Sequence, residues 1–312
     1  MVTSKKDTVK VFAPATIANL GPGFDILGLA VDGLGDSVTA RRIPEPEVII
    51  ETITGDNNRL PRIARKNTAG VAALEALKIV GATSGVALSL DKGLPSGSGL
   101  GSSAASAAAA AWAVACLNEF TDKEALLPAC LAAEELVSGY HADNVAPALM
   151  GGLVFIKGYE PLRLESLPVP KDLVIILATP NSELPTAEAR QVVPTQVDFK
   201  VALRNMAHFG ALLTACFRQD AISFGRAVAD EIVEPARAHL VPAFYDVKQA
   251  AIEAGGLGCS ISGAGPTIFA IAESQQVGEL VGEAMKAAFA ETNVASVVRV
   301  TSVDVTGAKE VL

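Results

Sequence analysis

The chain has 312 residues, of which 50% are hydrophobic and 19% charged, and a formal net charge of −9. That length and apolar content suit a folded protein with a sizeable core, of one or two domains, and exclude disorder. The acidic balance, without any cluster of Lys and Arg, excludes a nucleic-acid partner, because phosphate backbones are held mainly by such clusters.

From its start the chain runs Met1-Val-Thr-Ser-Lys-Lys-Asp7 into strand-like residues, without the apolar centre of a signal peptide. Residues 9–13 read as a first strand ending at Pro14, and residues 16–25 as a loop hinged on Gly21-Pro22-Gly23. Segments 27–31, 37–41 and 47–52 read as strands, 67–80 as a helix and 86–90 as an alternating strand. Residues 104–117 and 123–136 read as helices. The first of these is the longest largely apolar run, and it is shorter than the roughly 20 residues a bilayer needs, so no membrane partner is expected.

A stretch rich in Pro and charge at 157–171 marks a change of register, and the expected domain boundary falls near 165, giving units 1–165 and 166–312. Beyond it come a buried strand (173–178), a loop, two helices within 200–233, a helix at 242–254 and a second glycine stretch at 255–265. A strand at 268–272, a helix at 277–290 and a last strand near 297–305 complete the reading. Segregated strands and helices indicate an α+β fold rather than a doubly wound sheet.

Four cysteines (Cys116, Cys130, Cys216, Cys259) form no CxxC pair and read as free thiols. Neither they nor the three histidines show metal spacing, so no structural zinc is expected. The implied compartment is reducing: cytoplasmic, or plastid stroma if a transit peptide has been removed.

One stretch carries the chemistry. Residues Ser96-Gly-Ser-Gly-Leu-Gly-Ser-Ser103 follow a strand and lead directly into a run of alanines. A helix N-terminus carries about half a positive charge and several N–H groups without partners. Glycines before it let an anion approach those donors closely, and a phosphate is the expected occupant. No Lys-Ser/Thr follows Gly101, so this is not a Walker A loop, and the even spacing of Gly97, Gly99 and Gly101 does not match G-x-G-x-x-G. Counter-charge must come from a metal ion and from Lys92, while Ser102 and Ser103 offer hydroxyls to the helix or to that metal.

Pro95-Ser-Gly-Ser-Gly-Leu-Gly-Ser-Ser-Ala-Ala resembles the ATP-binding motif of the GHMP kinases, a superfamily of small-molecule kinases. Ala13-Pro-Ala-Thr-Ile-Ala-Asn-Leu-Gly-Pro-Gly-Phe-Asp25 and Cys259-Ser-Ile-Ser-Gly-Ala-Gly-Pro-Thr267 agree with it in order. Together with His141-Ala-Asp-Asn-Val-Ala-Pro147 and Thr186-Ala-Glu-Ala-Arg190, the first of these is similar to the branch that phosphorylates the hydroxyl of the amino acid L-homoserine. The resemblance implies a ribosomal-protein-S5-domain-2-like ATP-binding domain followed by a ferredoxin-like domain, with ATP and Mg²⁺ as cofactors. It also implies a homodimer.

Site residues follow from the same resemblance. Pro95, Ser96, Gly97, Ser98, Gly99, Leu100, Gly101, Ser102 and Ser103, with Lys92, are expected to hold the phosphates, and Asn67 the adenine. Arg190 and Arg237 would grip the substrate carboxylate by their guanidinium forks. Asp25 would receive the ammonium, and Asn19 would bond the hydroxyl side. His141, Thr186 and Gly263 would complete the substrate pocket. Glu134 with Ser102 would hold Mg²⁺, with Glu135 as a rival.

Asn144 stands at a motif end where an amide cannot accept a proton. The implied mechanism therefore relies on positioning by Asn19, His141, Asn144 and Arg190, and on charge stabilisation, without a dedicated base. Two alternatives remain open: another GHMP kinase of mevalonate or shikimate type, and a non-catalytic nucleotide-binding sensor on the same fold.

Overall fold

A computed structural model of the protein describes residues 6–311, so the reading of residues 1–5 lies outside the described residues. The first part of the chain forms β1 (Thr8–Ala18), β2 (Leu27–Ile43), β3 (Val48–Thr54), α1 (Thr68–Ile79), β4 (Gly85–Asp91), α2 (Ser102–Leu117), α3 (Leu127–Glu135), α4 (Ala142–Met150), β5 (Leu153–Tyr159) and β6 (Leu162–Leu167). The remainder forms β7 (Val174–Pro180), α5 (Thr186–Gln191), α6 (Phe199–Arg218), α7 (Ala221–Ala227), α8 (Val233–Arg237), α9 (Phe244–Glu253), β8 (Gly258–Ile261), β9 (Ile268–Ala272), α10 (Gln275–Glu291), β10 (Ser296–Thr301) and β11 (Lys309–Val311).

Two sheets result. The first has the order β11-β1-β2-β4-β3, with the β5–β6 hairpin attached to β2. Only β3 and β4 pair parallel within it. The second is antiparallel in the order β10-β7-β9-β8, with helices between β7 and β8 and between β9 and β10. That is the ferredoxin-like arrangement. The two sheets segregate strands from helices, so the α+β reading holds. The boundary expected at 165 falls inside β6; the sheets change between Leu167 and Val174, and β11 returns from the chain's end to pair with β1.

The first strand does not stop at Pro14. Pairing with β2 shifts from Pro14↔Gly35 to Ala15↔Val31, so Asp32, Gly33 and Leu34 bulge out opposite the proline. A residue without an N–H is tolerated at such an irregularity, and β1 continues to Ala18. The second glycine stretch also differs from its reading: it contains a strand, β8, whose four residues are all buried.

The alanine helix α2 is buried on nearly every side. Ala104, Ala105, Ala107 to Ala111, Ala113 and Ala115 are fully buried, against β1, β2, α1, α3 and α4. Alanine is the best helix former and the one that lets neighbouring elements approach this closely. The core extends across both sheets on alternate residues: Ile175, Leu177, Phe269 and Ile271 join the α2 cluster, while Ile176, Ala178, Ile268 and Ala270 face α9 and α10.

Because Ala109 is fully buried in α2, Ala109→Leu should overpack it and destabilise the fold by about 1–3 kcal/mol. Urea denaturation should show a lower midpoint at unchanged slope; an unaltered midpoint would mean that α2 has room.

Candidate active site

A cleft of about 440 Å³ opens where the two sheets meet, lined by the glycine loop, the β1–β2 loop, the end of α3, the start of α4, α5 and the β8–β9 turn. β4 delivers the chain to this loop, in which Gly97, Gly99 and Gly101 all take left-handed backbone (φ 63°, 79° and 66°). A Cβ on Gly99 would stand 2.5 Å from Ser262 O and 2.7 Å from Gly265 O, so no side chain fits there. Stitches fix the approach: Ser262 Oγ donates to Gly99 O (2.7 Å) and Thr267 N to Ser98 O (3.1 Å).

Helix α2 then starts at Ser102, and its first intrahelical bond is Ala105 N to Gly101 O. The amides of its first turn are thereby left for a ligand. The Ser98 hydroxyl is buried at this loop without a hydrogen-bond partner. Ser96, Gly97, Ser98, Gly99, Gly101, Ser102 and Ser103 line the cleft as expected. Pro95 and Leu100 do not: Leu100 is buried in the core, and both line a separate cleft on the other side of the loop.

Lys92 also departs from expectation. Its ammonium donates to Asp36, to Ser106 Oγ (2.6 Å) and to Ser102 O (3.0 Å), which accounts for its three protons. It is a buried prop beneath the loop rather than a counter-charge offered to phosphate. Asp36 Oδ1 in turn accepts from Gly93 N (3.0 Å) and Leu94 N (3.1 Å), holding the loop's first residues.

The two serines divide their tasks in the opposite sense to the expected one. Ser102 Oγ donates back to Leu94 O (3.3 Å), whereas Ser103 Oγ donates to Glu134 Oε2 (3.1 Å). They stand about 100° apart on the helix, so only one can face α3. Glu134 lies at the end of α3, 4% exposed, while Glu135 is exposed to solvent. Burial pushes the Glu134 carboxyl above the usual carboxylate range, and hydrogen bonds from Ser138 and Ser103 oppose this.

At the far end of the cleft the β1–β2 loop holds three non-glycine residues, Asn19, Leu20 and Asp25, in left-handed backbone. Asn19 Oδ1 accepts from Asp25 N (3.1 Å) and its Nδ2 donates to Gly263 O (3.0 Å), which leaves one amide hydrogen for a ligand. Arg190 grips Asp25 bidentately, both bonds 2.9 Å. Arg237 is 2% exposed, with Nε on Ala189 O (2.8 Å) and Nη1 on Gly263 O (2.9 Å). Burial, reinforced by Arg190, lowers its pKa to about 10. Both guanidiniums flank the Phe24 ring, at 5.5 Å and 5.1 Å from its centroid.

His141 begins α4, its Nδ1 3.7 Å from Asp25 Oδ2 and without a hydrogen-bond partner. Burial lowers its pKa, against the pull of Asp25. Asn144 Oδ1 accepts from Thr16 Oγ1 (2.8 Å), and Thr186 opens α5 on the cleft wall. Asn67 caps α1 through Ala69 N (3.0 Å) and donates to Pro61 O (2.9 Å), so its amide is largely occupied by structure. Asp143, which with His141 forms a His-x-Asp pair that could in principle act as a base, also lines the cleft, as do Phe24 and Lys66, which were not among the residues picked from the sequence. For Asp143 the signal was its place between His141 and Asn144; Lys66 and Phe24 carried none.

A glycine cradle at the head of a buried helix, with an acid and a hydroxyl facing each other beside it, defines a nucleotide-dependent small-molecule kinase of the GHMP class. The family models for the GHMP kinases N terminal domain and the GHMP kinases C terminal match residues 67–152 and 212–291. Homoserine kinase of Arabidopsis thaliana is 49% identical over 97% of this chain and 84% of its own length. That of Pyrococcus furiosus is 40% identical over 90% and 93%. A crystal structure of homoserine kinase from Cytophaga hutchinsonii superposes with a TM-score of 0.95 at 44% identity, covering 100% of this chain and 99% of that one. A mevalonate kinase from L. major shares the fold alone, with a TM-score of 0.71 at 16% identity. The chain belongs to the homoserine kinase family.

Asp143 supplies a test of the cleft's electrostatics. Burial first, then repulsion from Asp25 and Glu134, raises its pKa from 3.8 to about 7. The folded chain thus binds a proton that the unfolded chain has released, so ionising Asp143 costs stability as pH rises from about 4 to about 7. Relief of that cost corresponds to at most about 4 kcal/mol. Asp143→Asn should therefore raise the melting temperature relative to wild type more at pH 8 than at pH 5. An equal difference at both pH values would remove Asp143 as the titrating group.

Proposed function

We propose that the chain transfers the γ-phosphoryl group of ATP to the side-chain hydroxyl of L-homoserine, giving O-phospho-L-homoserine on the route to threonine. The observation that carries this reading is the Asp25, Arg190 and Arg237 cluster at one end of the glycine cradle. A zwitterion offers an ammonium to Asp25 and a carboxylate to the guanidinium forks, whereas mevalonate and shikimate carry no amine. The complete cradle with Glu134 and Ser103 favours catalysis over a sensor role.

The triphosphate rests on the first-turn amides of α2, with the loop of Ser96 to Ser103 around it. Lys66, exposed at the rim, and the remaining amide hydrogen of Asn67 stand on the adenine side. Mg²⁺ fits this site: Glu134 is a buried carboxyl bonded only to hydroxyls, and Mg²⁺ ordinarily takes one or two carboxylates plus phosphate oxygens. Among the described residues no cluster of three acidic, His or Cys ligands exists, so phosphates and water would complete the shell around Glu134 and Ser103. When bound, the ion neutralises charge on the phosphates.

The residues do the rest by placement. Arg190, Arg237 and Asp25 fix the two charged ends of the substrate, and Asn19, His141 and Thr186 bound the space for its hydroxyl. Asn144 and Thr16 hold the floor under Gly101, where a Cβ would lie 2.0 Å from Thr16 Oγ1. No proton acceptor is assigned: Asn144 is an amide, and Asp143 holds its own proton up to about pH 7. Fixed amides around an in-line displacement supply the transition-state stabilisation.

The free thiols suit a reducing compartment such as the cytoplasm, and no helix among the described residues is long and apolar enough to cross a membrane.

A coupled ADP-release assay with L-homoserine, mevalonate and shikimate tests the reading; turnover with homoserine alone is expected, and turnover with either other alcohol instead overturns it. Asp25→Asn should raise the KM for homoserine more than tenfold, in line with the roughly 2–5 kcal/mol lost when a buried charge loses its partner, and leave the KM for ATP unchanged. Ser103→Ala should shift the Mg²⁺ dependence of the rate to higher concentration, and Ser102→Ala should not; the reverse order would reinstate Ser102 as the metal-side hydroxyl.

A further inference from the structure

On the reading given above, Arg190 takes the substrate's carboxylate and Asp25 its ammonium, yet the two are bonded to each other. Arg190 Nη1 donates to Asp25 Oδ2 and Nη2 to Oδ1, both at 2.9 Å, so the fork of one fills the binding edge of the other. The pair is only partly open to water, with side chains 36% and 22% exposed. The bond to Asp25 raises the Arg190 pKa above its ordinary value.

Neither group has a second charged partner in reach. Among the described residues no other acid lies within salt-bridge distance of Arg190, and Asp143 nearby holds its proton up to about pH 7. Arg190 Nε is buried without a hydrogen-bond partner, and the Phe24 ring is the other contact of the guanidinium. On the Asp25 side His141 Nδ1 stands 3.7 Å away, and burial holds the imidazole toward its neutral form. Arg237 offers no way round the pair. Its Nε and Nη1 are committed to carbonyls, and it feels the Asp25 charge, so an anion bound to it alone meets repulsion. Pulling Arg190 from Asp25 therefore strands a charge on each side unless an opposite charge arrives at both.

We propose, resting on that reading, that the Arg190–Asp25 pair is a lock that only a zwitterion opens, exchanging one internal ion pair for two with the ligand. Homoserine brings its carboxylate to Arg190 as its ammonium takes Asp25, and no charge is left over. A hydroxy acid without an amine gains the Arg190 fork but leaves Asp25 bare beside its own carboxylate. An amino alcohol without a carboxylate gains Asp25 but leaves Arg190 bare beside its ammonium. Each half-ligand thus breaks one ion pair to form one, and adds a repulsion. Selection against both comes from the protein's own pair, since a group left uncompensated disfavours the wrong ligand as effectively as a good contact favours the right one.

Isothermal titration with half-ligands, in magnesium and a non-hydrolysable ATP analogue, reads the lock. The probes are γ-hydroxybutyrate, which lacks the amine, and homoserinol, in which an alcohol replaces the carboxylate. Wild type should bind homoserine more than about a hundredfold more tightly than either. Asp25→Asn retains a residue type that tolerates left-handed backbone. It should bind γ-hydroxybutyrate about tenfold more tightly than wild type does, because Arg190 is released, while its affinity for homoserine falls. Arg190→Gln should likewise bind homoserinol about tenfold more tightly than wild type, because Asp25 is released. Residues acting only as direct contacts, or only as structure, give no gain in either variant. Absence of either gain, with homoserine still bound by wild type, overturns the lock and leaves the proposed substrate standing. A wild type that does not bind homoserine overturns both.

Discussion

The approach of two backbone turns is the constraint on which the site depends. Gly99, from the loop after β4, meets Ser262 and Gly265, from the turn between β8 and β9, at distances that exclude a Cβ. Ser262 Oγ, Thr267 N and Gly263 N lock the contact to Gly99 O, Ser98 O and Ala18 O. One turn belongs to each sheet, so the phosphate cradle is held in place by the joint between the sheets. The same Gly263 carbonyl accepts from Asn19 and Arg237, which ties the substrate end of the cleft to that joint as well. The two ends of the cleft thus share one rigid reference, as the proposed in-line transfer requires.

The charges are arranged around that joint so that few are free. Lys92 could have been the cation of the cradle, but Asp36 neutralises it below the loop, where Ser106 Oγ also accepts one of its protons. What faces the cleft instead is a set of fixed amides and a helix end, which need no reorganisation as charge moves among phosphoryl oxygens. Apart from Lys66 at the rim, the cations that remain lie at the other end, Arg190 on Asp25 and Arg237 on backbone carbonyls. Separation of this kind is what the proposed reading requires, with phosphate at one end and a zwitterion at the other. The buried acids Glu134 and Asp143 are both displaced toward the protonated form, and a cation between these ends would favour their ionised forms.

Elements with long, uninterrupted periodicity were legible in the sequence: α2, α10, β4 and β9 fall within a few residues of their readings. Those that depend on distant partners were not. The buried strand β8 hides in a glycine stretch because its identity comes from pairing with β9, and β11 is a three-residue strand defined only by β1. Helix α4 contains Pro147, which argues locally against a helix. Within the site, the residue types were legible through family resemblance, but their division of labour was not. Whether Ser102 or Ser103 faces Glu134 is a matter of helix rotation. The fate of Lys92 is set by Asp36, 56 residues earlier in the chain, and no local pattern carries that information.

The substrate loop shows how a strained segment is kept in a single conformation. Asn19, Leu20 and Asp25 occupy left-handed backbone, which costs on the order of 1–3 kcal/mol each and persists only where the surroundings over-determine it. Four hydrogen bonds supply that constraint. Asn19 Oδ1 closes the loop on Asp25 N; the β8–β9 turn holds Asn19 through Gly263 O; Tyr159 on β5 donates to Asp25 O (3.2 Å); and Asn205 on α6 donates to Pro22 O (3.2 Å). Asn205 lies between Leu203 and Met206, so the helix whose outer face is apolar has its inner face on the loop that carries Asp25. The position of α6 therefore bears on Pro22, and through the loop on the Asp25 carboxylate. The proposed recognition of an amino acid would thus rest in part on a helix that forms no part of the cleft wall.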